Sequence, residues 1–175
     1  MDAPGSEGMT FAARSREGEA ALAELIIILE QNGFDVFHVV QETWLPARLH
    51  DAVRFVHDDL MVRAIRYFPD LAVVGPGFPW SYWDAKRNVT PGTANFSIEK
   101  ACYEELMARH AKGERVIVSF KDVDNKWYAC WVQMLNPVRD MTGVRGESRS
   151  SHTPYLLVRK DNAKRLSDFL RADMP

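Results

Sequence analysis

The chain has 175 residues, 46% hydrophobic and 26% charged, with five Trp, five Tyr and nine Phe. That balance excludes a disordered chain and a fibrous repeat, and the length suits one domain around one core. The formal net charge of −2 gives no global sign of a polyanion partner, yet it hides an asymmetry. Residues 1–62 hold four basic and eleven acidic side chains, so the remainder carries +5; residues 139–165 alone hold seven basic and three acidic ones.

In chain order, the first fourteen residues are small, polar and bear Gly and Pro, so a flexible leader is expected ahead of a single domain over 15–175. Apolar residues at Leu22, Ile26 and Leu29 predict a helix over 15–31, stopped by Asn32-Gly33. Residues 34–40 are aromatic and β-branched and predict a strand, and 47–66 a helix entered through Pro46. Leu71–Val74 and Trp80–Lys86 predict two strands joined by the turn Gly75-Pro76-Gly77. A helix is predicted over 97–112, capped by Asn95 or Ser97, with Ile98, Ala101, Cys102, Leu106 and Met107 as its apolar stripe. Strands over 116–120 and 127–134 follow, separated by Asp122-Val123-Asp124-Asn125, then a loop over 139–152, a strand over 155–158 and a helix over 161–171.

Cys102 and Cys130 lie too far apart, in too large a chain, to suggest a disulfide scaffold, so reduced thiols are expected. The longest unbroken aliphatic run, Leu25–Leu29, is far short of a membrane span, and the first residues lack a basic signal-peptide start. A cytoplasmic protein is the expectation.

The chemistry concentrates on the central strand pair. Pro69-Asp70 opens one strand and Asp84-Ala85-Lys86 closes the next, with thirteen residues between the aspartates. Side chains alternate along a strand, so Asp84 and Lys86 share a face. In a hairpin, Asp70 would stand beside Asp84, and two carboxylates there suit Mg²⁺ or Mn²⁺ completed by water and a substrate phosphate. An acid between Tyr82, Trp83 and Ala85 is costly unless ligated or paired.

This arrangement resembles the PD-(D/E)XK nuclease superfamily, also called restriction-endonuclease-like. The Pro-Asp and acid-X-lysine strands match, as does the order of a helix, the strand pair, a helix and further strands. Residues 83–120 and 154–158 look most like Holliday-junction resolvases and virus-type replication-repair nucleases. The resemblance implies an α/β fold, αβββαβ, with a mixed four- to five-stranded sheet flanked by helices. It implies a Mg²⁺-dependent DNA endonuclease, with Mn²⁺ substituting, that serves recombination, repair or phage DNA processing on junction or branched DNA, as a homodimer. Asp70, Asp84 and the Ala85 carbonyl would hold the ion, Lys86 would orient water or phosphate, and a glutamate of the first helix would complete the site. Helical projection favours Glu19, which falls within about 80° of Leu22, Ile26 and Leu29, and places Glu17 and Glu24 on the far side.

Arg87, Lys100, Arg145 and Arg149 are the candidate DNA contacts. Trp80, Trp83, Trp127 and Trp131 could stack on bases but are expected in the core. Two alternatives stand beside the nuclease: a catalytically silent nuclease-fold protein in DNA binding or assembly, and, ranked last, an RNA-directed enzyme.

Overall fold

A computed structural model describes residues 11–39, 60–75, 78–87, 95–140 and 154–173. Helix α1 (Phe11–Gln31) leads into β1 (Asp35–His38), α2 (Leu60–Arg66), β2 (Leu71–Gly75) and β3 (Phe78–Arg87). Then come β4 (Asn95–Glu99), α3 (Lys100–Ala111), β5 (Val116–Lys121), β6 (Trp127–Trp131), β7 (Pro137–Asp140), β8 (Tyr155–Arg159), β9 (Lys164–Arg165) and α4 (Leu166–Asp173). The strands form two sheets, one of six in the order β1-β2-β3-β5-β6-β9 and one of three in the order β4-β8-β7. In the larger sheet only β3 and β5 pair in parallel, so it is mixed, with one strand more than the upper end of the expected range.

Alternation along the strands divides the core in two. On one face Leu71, Val73, Trp83, Ile117, Trp127 and Ala129 pack under α1 (Ala21, Leu25, Leu29) and α4 (Leu166, Phe169, Leu170). The Trp83 and Phe169 rings meet edge to face at 6.0 Å. On the other face Val116, Val118, Phe120 and Cys130 lie under α3 (Cys102, Leu106) and the smaller sheet (Phe96, Ile98, Leu156, Val158). There the Phe96 and Phe120 rings stack at 4.4 Å and join the sheets. Each large side chain buried this way contributes about 1.5–3 kcal/mol.

Local chemistry sets the ends of the elements. Gly33 takes φ 84, a left-handed conformation that ends α1, and Phe34 N–H donates to Leu29 O at 3.2 Å. The turn after β5 is held by the Asp122 carboxylate, which accepts the N–H groups of Asp124 (3.0 Å) and Lys126 (2.8 Å). Gly75 ends β2 where the Phe34 ring fills the position a Cβ would take.

Several expectations are corrected. Residues 95–99 are a strand and not a helix start: Phe96 and Ile98 are buried with period 2, and the strand pairs antiparallel with β8. The α3 N-cap is Glu99, without a side-chain cap bond, and not Asn95 or Ser97. Residues 132–134 form a 3₁₀ turn after β6, residues 137–140 a strand, and residues 160–165 a 3₁₀ turn and a short strand before α4. The first helix begins at Phe11, four residues earlier than its apolar pattern predicts. The rest of the leader, residues 47–59 of the predicted second helix and residues 141–153 lie outside the described residues.

Candidate active site

Pro69, buried, precedes Asp70 at the head of β2. The β2–β3 ladder pairs Leu71 with Trp83, so its next step brings Asp70 alongside Asp84 on the opposite side of the sheet from Trp83. Asp70 Oδ2 accepts the Ala85 N–H at 2.8 Å, which fixes one carboxylate against the other strand. Asp84 is only 2% exposed. Lys86, two residues on, donates to both Asp84 oxygens, at 3.0 Å to Oδ1 and 2.8 Å to Oδ2. From α3 the Cys102 thiol donates to Asp84 Oδ2 at 3.9 Å, and the Ser119 hydroxyl of β5 donates to the Asp84 backbone carbonyl at 3.2 Å. Each of the three charged groups therefore has a defined position before any ligand arrives.

The electrostatics follow from burial. Desolvation pushes the Asp84 carboxyl up to about 6; the Lys86 charge opposes this and the Asp70 charge adds to it. Burial alone would lower Lys86, but Asp84, with smaller contributions from Cys102 and Asp70, holds it well above the usual lysine range. Burial, reinforced by Asp84, drives the Cys102 thiol far above its ordinary value, so it stays a neutral donor. Nearby, burial and the Glu99 carboxylate push the Tyr67 hydroxyl up to about 12.

Nothing in the sequence assigns Cys102 or Glu99 to the site. Cys102 is a small apolar residue on a helical stripe with no local sign of a carboxylate partner, and Glu99 sits at the strand-to-helix junction that the helical pattern hides.

Helix α1 covers the other face of β3, and Glu19 is exposed on it. The helix turns Ala21, Leu25 and Leu29 fully inward and leaves Leu22 and Ile26 only partly buried against the same core, and this moves the acids. Glu17 and Glu24 are therefore not on the far side: Glu17 pairs with Arg87 at 3.1 Å, and Glu24 binds Lys121 and, at 3.0 Å, the Trp127 indole N–H. Of the candidate DNA contacts, Arg87 carries that ion pair, and half-buried Lys100 opens α3 with its N–H on Pro154 O at 2.9 Å. Arg145 and Arg149 lie outside the described residues. Trp83 and Trp127 are core residues, whereas Trp80 is 47% exposed.

Among the described residues no three His, Cys, Asp or Glu side chains are arranged to hold a metal by themselves. Two carboxylates on adjacent strands still fit Mg²⁺, a hard ion that keeps several waters and binds through one or two carboxylates plus substrate phosphate. Their fit is to an ion shared with substrate rather than to a closed structural site. Among the described residues no helix is long and apolar enough to cross a membrane.

No protein-family model matches the sequence, and no curated protein matches it. Solved structures do. The chain is similar to Hjc, a Holliday junction resolvase from Archaeoglobus fulgidus, with TM-score 0.51 and 15% identity over 87% of this chain and 93% of that one. A nuclease from a fusellovirus aligns at TM-score 0.44 and 12% identity over 97% and 92% of the two chains. The mixed six-stranded sheet flanked by helices is thus the fold that this chain shares with the resolvase.

Proposed function

We propose that the protein is a divalent-metal-dependent DNA endonuclease. The observation that carries this reading is the nearly inaccessible Asp84, held beside Asp70 and charge-paired to Lys86 on one face of a hairpin. A structural role would be served better by apolar residues, since burying like charges side by side is unfavourable.

Asp70 and Asp84, with the Ala85 carbonyl, would hold Mg²⁺ or Mn²⁺. The ion supplies Lewis-acid stabilisation of phosphate charge and a lowered pKa for water. Lys86 then orients the attacking water and stabilises the phosphate oxygens as charge builds on them. Water oxygen bonds to phosphorus as one of its protons passes to solvent, the bond from phosphorus to the 3′ oxygen breaks, and the leaving alkoxide takes up a proton from solvent, giving a 5′-phosphate and a 3′-hydroxyl. Cys102 holds Asp84 from behind as a neutral donor. Glu19 stands on α1, which packs on the face of β3 opposite Asp84, so the proposed set is Asp70, Asp84 and Lys86 without it. Branched or junction DNA, recombination or repair, and a homodimer remain the proposed context.

The test is incubation with junction, duplex and single-stranded DNA in Mg²⁺, Mn²⁺ or EDTA, comparing wild type with Asp84→Ala and Lys86→Ala. Metal-dependent cutting that both variants lose is expected. Full cutting by a clean Asp84→Ala preparation overturns the assignment; DNA binding with no cutting by wild type in either metal favours the silent, DNA-binding form of the fold.

A further inference from the structure

We infer that Phe68, held by Tyr82 and Arg109, is a positioning residue for the reaction, the one that sets Asp70 against Asp84. The inference deepens the nuclease reading and rests on it, since it concerns how the two carboxylates proposed to hold the ion reach a fixed separation.

Asp84 belongs to the middle of β3, but Asp70 belongs to the short lead-in between α2 and β2, so the separation of the two acids depends on where that lead-in lies. Continued straight, the antiparallel β2–β3 ladder would carry Phe68 past Asp84 toward Lys86. The Phe68 ring instead reaches back and meets the Tyr82 ring edge to face, with centroids 5.6 Å apart. Phe68 stands two residues ahead of Asp70, and Tyr82 two residues ahead of Asp84 on the same side of β3. One ring contact therefore ties together the two segments that deliver the acids. Both rings are half-buried, and neither belongs to the two cores, so core packing does not account for the contact.

A second contact holds Phe68 from α3. The Arg109 guanidinium carbon lies over the ring, 4.2 Å from its centroid, where the negative face of the ring attracts a cation. The Arg109 side chain is only 12% exposed and is kept in place by Glu114 at 3.1 Å and Glu105 at 3.9 Å. A charge placed that deep is unfavourable unless its geometry is needed. Cys102, which donates to Asp84, precedes Arg109 by seven residues, two turns along one face of the helix. A single rigid helix thus touches Asp84 near its start and Phe68 near its end, and its length fixes the interval between the two contacts.

The direct readout is the Ala85 amide, which donates to Asp70 Oδ2 at 2.8 Å and so reports the placement of Asp70 without metal or DNA. Its hydrogen exchange is followed by NMR in EDTA for wild type, Phe68→Ala, Phe68→Tyr and Arg109→Met, with the Val118 amide in the middle of the sheet as internal reference. Phe68→Ala is expected to speed Ala85 exchange about tenfold relative to Val118, Arg109→Met about threefold, and Phe68→Tyr, which keeps the ring, to stay near wild type. In cleavage with Mg²⁺, Phe68→Ala should lower kcat about 10- to 100-fold with KM for DNA within about twofold, and Phe68→Tyr should restore kcat. Arg109→Met leaves the ring in place and carries the test if Phe68→Ala does not fold. Ala85 exchange that keeps pace with Val118 in the folded variants overturns the inference and leaves the nuclease reading intact. Selective loss of Ala85 protection with unchanged kcat also overturns it, because the placement of Asp70 would then not govern cleavage. Wild type that cuts no DNA in Mg²⁺ or Mn²⁺ removes the nuclease reading and, with it, the positioning role, whatever the exchange at Ala85.

Discussion

The two faces of the six-stranded sheet use charge in opposite ways. On the α1 face the interior is apolar, and ionic groups at its edge form opposite-sign pairs in which the carboxylate is open to solvent: Glu17 with Arg87, Glu24 with buried Lys121. On the α3 face one carboxylate, Asp84, lies in the core itself, beside half-buried Asp70 and Lys86. A margin pair stabilises slightly and can be lost cheaply, whereas buried charge lowers stability and persists for another reason. The difference marks α1 and α4 as scaffold and the β2–β3 hairpin under α3 as the working surface.

The sharpest way to break this contrast is to mutate each face and measure both activity and stability. Asp84→Ala is expected to lower metal-dependent cleavage by about a thousandfold or more, because it removes a ligand and the partner that holds Lys86. Its urea midpoint should fall little, since Lys86 is 29% exposed and can turn to solvent while the repulsion from Asp70 disappears. Leu29→Ala should do the reverse, costing about 2–5 kcal/mol by opening a cavity under α1 while kcat at 25 °C stays near wild type. A large activity loss in Leu29→Ala without unfolding would merge the two faces into one functional unit.

Acid titration separates the faces by sign. Asp84 is raised in the fold, so its contribution to stability is fully present below the unfolded value near 3.8 and is lost as pH rises to about 6. In EDTA, wild type relative to Asp84→Asn should therefore lose roughly 1–3 kcal/mol between pH 4 and pH 7. Asp122 behaves oppositely. Burial pushes it up, but Lys160 and the N–H groups of Lys126 and Asp124 together outweigh this and hold it below the ordinary value. Its contribution is present above the unfolded value and fades as pH falls through the lower folded one. Glu24 is lowered too, chiefly by its Lys121 hydrogen bond. Being 42% exposed on its side chain, Glu24→Gln should cost only about 0.5–1 kcal/mol at pH 7 by chemical denaturation, and nothing measurable in activity. Equal pH profiles for wild type and Asp84→Asn would remove the buried-acid account of the working face.

The hairpin was readable because its information is local. The period-2 pattern, the Gly-rich turn and the Pro-Asp head all lie within residues 69–86, and the ladder forms accordingly. The small sheet was not readable, because β4 pairs with β8 some sixty residues away and Ile98 fits the helical stripe as well as the strand. Glu24 was misplaced for a similar reason. Its partners Lys121 and Trp127 lie about a hundred residues away, and a projection built on Leu22 and Ile26 turned the helix too far. Cys102 carried no sequence sign of its carboxylate, since only the packing of α3 across β3 creates that neighbour.

The contact between Gly75 and Phe34 makes the scaffold answerable for the chemistry. Phe34 anchors the chain just after α1 and leaves no room for a methyl group at the end of β2, beside the point where the hairpin's pairing already shifts between Val73 and Gly75. A Gly75→Ala change touches no carboxylate. It would nonetheless push the end of β2 off Phe34 and slide β2 along β3, and a slip of one residue turns Asp70 from Asp84 to the opposite side of the sheet. The alignment of the acids is thus keyed from behind by an aromatic ring on the face that does no chemistry.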